Sequence, residues 1–226
     1  MSSPSRMRRA WDRFAAEDPM YFIHCGRKDW DRESFFASGR EEVADWLGWM
    51  TEEPRRGRMV EVGCGLGRMT VAFAREFERV DGVDISPSMV KQARDLEPPA
   101  NVEFHALDGS GRLPFDDATF AFAASNAVFQ HVPDEETVAT YLREIARTLA
   151  PGGLALLHFD TVPPGPLRLL SYRLPDGVLP RTSRRGMRCH GRAPERVREL
   201  AAAAGFEVVA ERDPGSANHL FLLAAR

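Results

Sequence analysis

Cysteine is scarce in this chain. Cys25, Cys64 and Cys189 are the only three among 226 residues, far apart and without C-x-x-C spacing. Three such thiols cannot all pair, which argues against a disulfide scaffold or a cysteine-built zinc site and for a reducing compartment. Lysine is rarer still, Lys28 and Lys91 alone, so arginine supplies almost all the positive charge. No apolar run approaches the roughly 18 residues of a membrane span, and residues 1–9 lack the apolar core of a signal peptide. A soluble, cytoplasmic protein is the expectation. A net charge of −3 gives no general pull toward nucleic acid or an anionic membrane. Internal repeats and low-complexity tracts are missing, and the length suits one α/β domain with an appendage.

What is present centres on residues 59–68. Met59, Val60 and Val62 read as a short buried strand, which Gly63, Gly65 and Gly67 end at alternate positions. A helical pattern then runs through Met69, Val71, Ala72 and Phe73. A strand breaking on glycines into a helix is expected to leave unpaired backbone N–H groups, and a helix dipole's positive end, at the strand's carboxyl edge. Glycine there lets a ligand approach the backbone. Dinucleotide folds use G-x-G-x-x-G, with a pyrophosphate over the helix end. Here Glu61 stands two residues before the first glycine, where a carboxylate would repel a pyrophosphate and suit a cation such as an ammonium group.

The order Glu61-x-Gly63-x-Gly65-x-Gly67 resembles the first motif of the class I S-adenosylmethionine-dependent methyltransferases of small-molecule type. Later segments extend the resemblance. Residues 80–84 read as a second strand ending in Asp84, 17 residues beyond Gly67. In a right-handed βαβ unit that acid returns beside the first loop, where a carboxylate suits a ribose diol. The competing reading is a cap for the helix near Pro87, a task Ser86 can perform. Ile85 and Met89 would wall an adenine ring. A third strand, 102–107, leads to Asp108 and Gly109, where the family places a partner for the adenine's exocyclic amine. Residues 119–124 form a fourth strand, followed by Asn126, Gln130 and His131. An amphipathic helix over 135–150 stops at Pro151-Gly152-Gly153, and 154–159 is a fifth strand. Gln130-His131-Val132 and Leu149-Ala150-Pro151-Gly152-Gly153 also match the family pattern.

The fold expected is α/β and Rossmann-like: a seven-stranded, mostly parallel sheet with helices on both faces. Strands at 206–212 and 219–225 make one antiparallel C-terminal hairpin, which ordinary dinucleotide-binding domains lack. Residues 1–57 are read as an N-terminal helical lid and substrate cap, with residues 1–7 disordered and helices over 8–17 and 41–50. Residues 58–160 form the cofactor-binding core. Residues 161–192 are a loop-rich insert over the substrate pocket, with five prolines and seven arginines against one acid, Asp176. Residues 193–226 complete the core.

The resemblance implies S-adenosyl-L-methionine as cofactor and S-adenosyl-L-homocysteine as product. The implied cofactor-binding set is Tyr21, Arg40, Glu61, Gly63, Cys64, Gly65, Gly67, Asp84, Ile85, Met89, Asp108, Gly109, Asn126 and Gln130. Tyr21 and His24 in the lid, and Arg184 and Arg185 in the insert, are substrate candidates, the arginines for an anionic acceptor; a solvated arginine-rich loop is the plainer reading. Methyl transfer is an in-line displacement, so the protein chiefly aligns the acceptor and excludes water. An alcohol or phenol acceptor also needs a base, for which His131 and His158 stand at the right edge; packing is the competing role for both. No metal ligands are expected. The function that follows is methyl transfer to oxygen or nitrogen of a small biosynthetic metabolite, by a monomer or homodimer. Nucleic-acid or protein methylation and a NAD-binding oxidoreductase are the alternatives. Ser125-Asn126-Ala127-Val128 replaces the Asn/Asp-Pro-Pro-aromatic motif of nucleic-acid enzymes, and Glu61 opposes the NAD reading.

Overall fold

The computed structural model describes every residue except Met1, Ser2, Gly26, Lys28, Arg55 and Arg185, and only the backbone of Ser3 and Pro4. Seven strands form one sheet: β1 (Arg58–Val62), β2 (Arg79–Asp84), β3 (Val102–Ala106), β4 (Phe120–Ser125), β5 (Leu149–Phe159), β6 (Phe206–Arg212) and β7 (His219–Ala225). Their spatial order is β3-β2-β1-β4-β5-β7-β6. All the pairings among β1 to β5 are parallel, and β7 runs antiparallel to both β5 and β6. The C-terminal hairpin thus forms one edge of the sheet, as its two strands implied.

Alternation along the strands divides the core between the faces. Val60, Val62, Ala123, Ala155, Leu157 and Phe221 pack beneath α6 (Glu135–Thr148) and α8 (Pro194–Ala203). Met59, Phe122, Leu156 and Leu222 meet Val43 and Trp46 of α3 (Arg32–Trp49) and Phe73 of α4 (Thr70–Phe73). The helix expected directly after the glycines is shorter than its pattern suggested: it forms only from Thr70 and is four residues long. β5 begins earlier than expected, at Leu149, and carries Pro151-Gly152-Gly153 within it.

A third core fastens the N-terminal segment. α1 (Ser3–Glu17) and α2 (Pro19–Ile23) bring Phe14, Tyr21 and Phe22 against Phe35, Leu66 and Met89, with Met187 of the insert closing the cluster. Phe14 and Phe22 stack at 4.1 Å. Burying one such phenylalanine contributes about 1.5–3 kcal/mol; residues 3–7, expected to be disordered, instead begin α1, and Met7 packs against the core. Asp12 ties α1 to the N-terminus of α5 (Pro87–Asp95): its Oδ1 accepts from Ser86 Oγ at 2.6 Å and from Ser88 N at 3.2 Å. α3 crosses the glycine loop at Gly39, where a Cβ would lie 2.2 Å from the Arg68 carbonyl oxygen. In the insert, α7 (Pro166–Ser171) and two short 3₁₀ turns are the regular pieces, as its prolines required. Among the described residues, no helix is long and apolar enough to cross a membrane.

Candidate functional site

Chain order reverses between β1 and β4, so their carboxyl ends splay apart into a crevice. A cavity of about 300 Å³ lies there. Gly63 and Gly65 form its floor, Asp84 and Ile85 one side, and Asn126, Gln130 and His131 the other; Phe22, Ile23 and Cys25 of the lid close over them. Gly63 adopts φ +82°, and a Cβ there would meet Val128 Cγ2 at 2.1 Å; at Gly65 (φ +54°) one would meet Ile23 Cδ1 at 2.8 Å. Only glycine lets the loop turn this tightly beneath the lid.

The loop amides are not bare, as the sequence suggested. Gly63 N and Cys64 N both donate to Val83 O, at 2.7 and 3.1 Å, and Gly67 N donates to Cys64 O. Gly65 N donates to Asp84 Oδ2 at 2.9 Å, and Ser86 N to Asp84 Oδ1 at 2.8 Å. Asp84 is thereby locked at the tip of β2, and burial lifts its pKa to about 6. Ser86 Oγ accepts from Met89 N at 3.1 Å, so the hydroxyl caps α5 and the helix does not need the carboxylate of Asp84. Glu61 is buried behind the floor, hydrogen-bonded by Thr70 Oγ1, and burial lifts it to about 8. Gln130 lines the cavity, and its carbonyl oxygen, Oε1, is buried without a hydrogen-bond partner.

A family model described as a methyltransferase domain matches residues 60–157. The chain is 33% identical over 116 residues to 2-methyl-6-phytyl-1,4-hydroquinone methyltransferase of a Synechocystis species, covering 51% of this chain and 35% of that protein. It is 30% identical over 169 residues to 27-O-demethylrifamycin SV methyltransferase of Amycolatopsis mediterranei, covering 71% and 61%. It thus spans less than two thirds of either relative's own length. The crystal structure of magnesium protoporphyrin IX methyltransferase from Synechocystis PCC 6803, with bound SAH, aligns at TM-score 0.69 and 18% identity over 100% of both chains. Residues 60–157 thus match the methyltransferase-domain family, and the whole chain shares the fold of that solved enzyme.

Not every expected site residue reaches the cavity. Cys64 packs with Val90, Ala93 and Phe104, and the Phe104 ring lies against Gly67, so both serve packing. Met89 is buried in the lid core. Tyr21 lies in that same core beneath the Arg181 guanidinium, because α2 turns Phe22 and Ile23 inward instead. Arg40 lines a separate hollow between α3 and the end of α5. Asp108 turns outward, accepting from Ser110 N at 2.8 Å, and with Gly109 borders a groove beneath α1; Leu107 takes the wall position. His24 packs on Trp30, with ring centres 5.2 Å apart.

The base candidates separate. His158 Nδ1 accepts from Ala127 N at 3.0 Å and Nε2 donates to Ala217 O at 2.9 Å, so neither nitrogen is left for a substrate. His131 Nδ1 faces Arg188 O at 3.3 Å, which leaves Nε2 as the nitrogen without a protein partner among the described residues. Burial pushes the His131 pKa down to about 4, so its ring is neutral at neutral pH. Arg184 lies 3.4 Å from Glu17 and serves the lid, while Arg185 lies outside the described residues.

Sequence reasoning missed the buttress behind the site. Glu42 of α3 pairs with Arg68 and accepts from Asn126 Nδ2 at 2.6 Å. It also missed Arg192, whose buried guanidinium donates to Phe129 O, Val132 O and His190 O and so braces the turn carrying Gln130 and His131. Glu42 shares a helix stripe with Trp46, but an acid on a helix reads as solvated until the fold brings an arginine to it. Nothing in the spacing of Arg192 distinguished it from its six neighbours in the insert.

Proposed function

We propose that this protein transfers a methyl group from S-adenosylmethionine to a small-molecule acceptor. The observation that carries the reading is the position of Asp84, fixed by two backbone amides beside a glycine floor, at the edge of an apolar cavity that Gln130 also lines. The residues fit a nucleoside. Asp84 retains acceptor lone pairs for a diol, Ile85 and Leu107 supply an apolar wall, and Gln130 Oε1 awaits a donor. Glu61, protonated while the site is apolar, ionises when an ammonium approaches it, and so answers the amino-acid end of the cofactor. When bound, S-adenosylmethionine supplies a methyl group already attached to its leaving group. Asn126, Gln130 and His131 orient the acceptor, and Phe22, Ile23 and Cys25 exclude water. On this reading residues 1–57 and 161–192 form the cover, and residues 58–160 with 193–226 form the core.

Calorimetry with adenosylhomocysteine and with NAD, followed by label transfer from methyl-labelled cofactor to a panel of quinols, phenols, amines and carboxylic acids, tests the proposal. Binding of adenosylhomocysteine alone, with labelled product from the panel, is expected. Binding of NAD alone would replace this reading by the oxidoreductase one.

A further inference from the structure

A second cavity, of about 840 Å³, opens beside the first and shares Met7 and His131 with it. Its charge is one-sided. Arg6, Arg9 and Arg13 project into it from α1, where spacings of three and four residues put them on one helical face. Arg188 and His190 reach it from the insert, and Asp176 is the single acid of its lining among the described residues. Asp176 is shared by Arg13 at 3.5 Å and Arg188 at 3.7 Å, both long for tight pairs. The Arg188 guanidinium is held in place by the Tyr172 ring, 5.2 Å away.

We propose that this chamber binds an acceptor carrying two or more carboxylates, and that the oxygen methylated is a carboxylate oxygen presented past His131. The inference rests on the methyltransferase reading and names its substrate class. Leaving Arg9 aside, Arg6, Arg13 and Arg188 against the one carboxylate of Asp176 make the lining net positive, which favours a multiply anionic ligand, and guanidinium pairs carboxylate with directional hydrogen bonds. His158, His131 and Tyr141 also serve an alcohol poorly as bases. His158 is occupied at both nitrogens, burial keeps the His131 pKa near 4, and burial raises Tyr141 to about 12. A carboxylate arrives deprotonated and needs none of them. Its oxygen lone pair forms the new C–O bond while the methyl–sulfur bond breaks and leaves its electron pair on sulfur. The product is a methyl ester, and no proton changes hands.

The test is calorimetry with citrate, its trimethyl ester and inorganic phosphate, with and without adenosylhomocysteine, on the wild type and on Arg13→Ala, Arg188→Ala and Arg188→Lys. The expected result is 1:1 citrate binding, weakened at least about tenfold by either alanine change and partly restored by lysine, with no heat from the triester and little from phosphate. Adenosylhomocysteine affinity staying within about twofold in every variant would show that the cofactor site is intact. Absence of citrate binding to the wild type, equal binding of citrate and triester, or indifference of citrate to both alanine variants would overturn the proposal. Phosphate binding as well as citrate would overturn the carboxylate assignment. Citrate titrated without adenosylhomocysteine reads the chamber alone, so failure of cofactor binding is scored separately, against the methyltransferase reading.

Discussion

Asp84 and Glu61 are both buried acids, yet the site holds them differently. Asp84 accepts from two backbone amides, whereas among the described residues Glu61 accepts from the Thr70 hydroxyl alone. Replacing Asp84 by alanine removes acceptors from two buried N–H groups, so a loss of about 1–3 kcal/mol in urea unfolding is expected, with a fall of roughly 100-fold in adenosylhomocysteine affinity. Unchanged affinity would mean the carboxylate faces no diol. Glu61 ionises near 8 in the fold against 4.5 in the unfolded chain. The folded state therefore binds the extra proton between those values, and the empty protein should lose stability as pH rises through that window. An ammonium beside Glu61 reverses the preference, so ligand binding near pH 7 should release up to about one proton per site. Titration in buffers of different ionisation enthalpy would detect the release, and Glu61→Gln should abolish it. At this scale the residues expected at the crevice line it where backbone geometry fixes them, as at Gly63, Gly65 and Asp84, and lie elsewhere where a rotamer or a helix's rotation decides, as at Tyr21, Asp108 and Arg40.

Elements were legible in proportion to their periodicity. The strands and α6 lie close to where alternation and amphipathicity put them. The start of α1 did not follow from its Ser-Pro-Arg composition, since Met7 and Ala10 gain their apolar partners only from the insert and the core. The same contacts turn Arg6, Arg9 and Arg13 from a loose basic tail into one helical face. Close approach between elements was equally invisible. Gly39 permits α3 to lie against the loop after β1, and Gly39→Val should therefore cost about 1–3 kcal/mol and weaken cofactor binding through Glu42 and Arg68. Chemical denaturation and calorimetry on one preparation would check both; stability and affinity equal to the wild type would show that α3 does not buttress the site.

For the molecule as a whole, the lid is fastened both to the core, through Leu66 and α5, and to the insert. Arg181 stacks over Tyr21 and Phe22 while it pairs with Glu17 and Asp18. A ligand held between core and lid stabilises both together. At a hundred times its Kd it should add about 2.7 kcal/mol, a Tm rise of roughly 5–10 °C for a chain of this size. The sheet order and its closing hairpin could be anticipated because each follows from element order. The basic chamber could not, because it exists only where α1 and the insert meet. The most direct measurement is a crystal structure of the protein grown with adenosylhomocysteine. The account predicts density across the glycine floor, with the ribose hydroxyls on Asp84 and the sulfur directed toward His131. Density anywhere else, or crystals without it at saturating ligand, would contradict it.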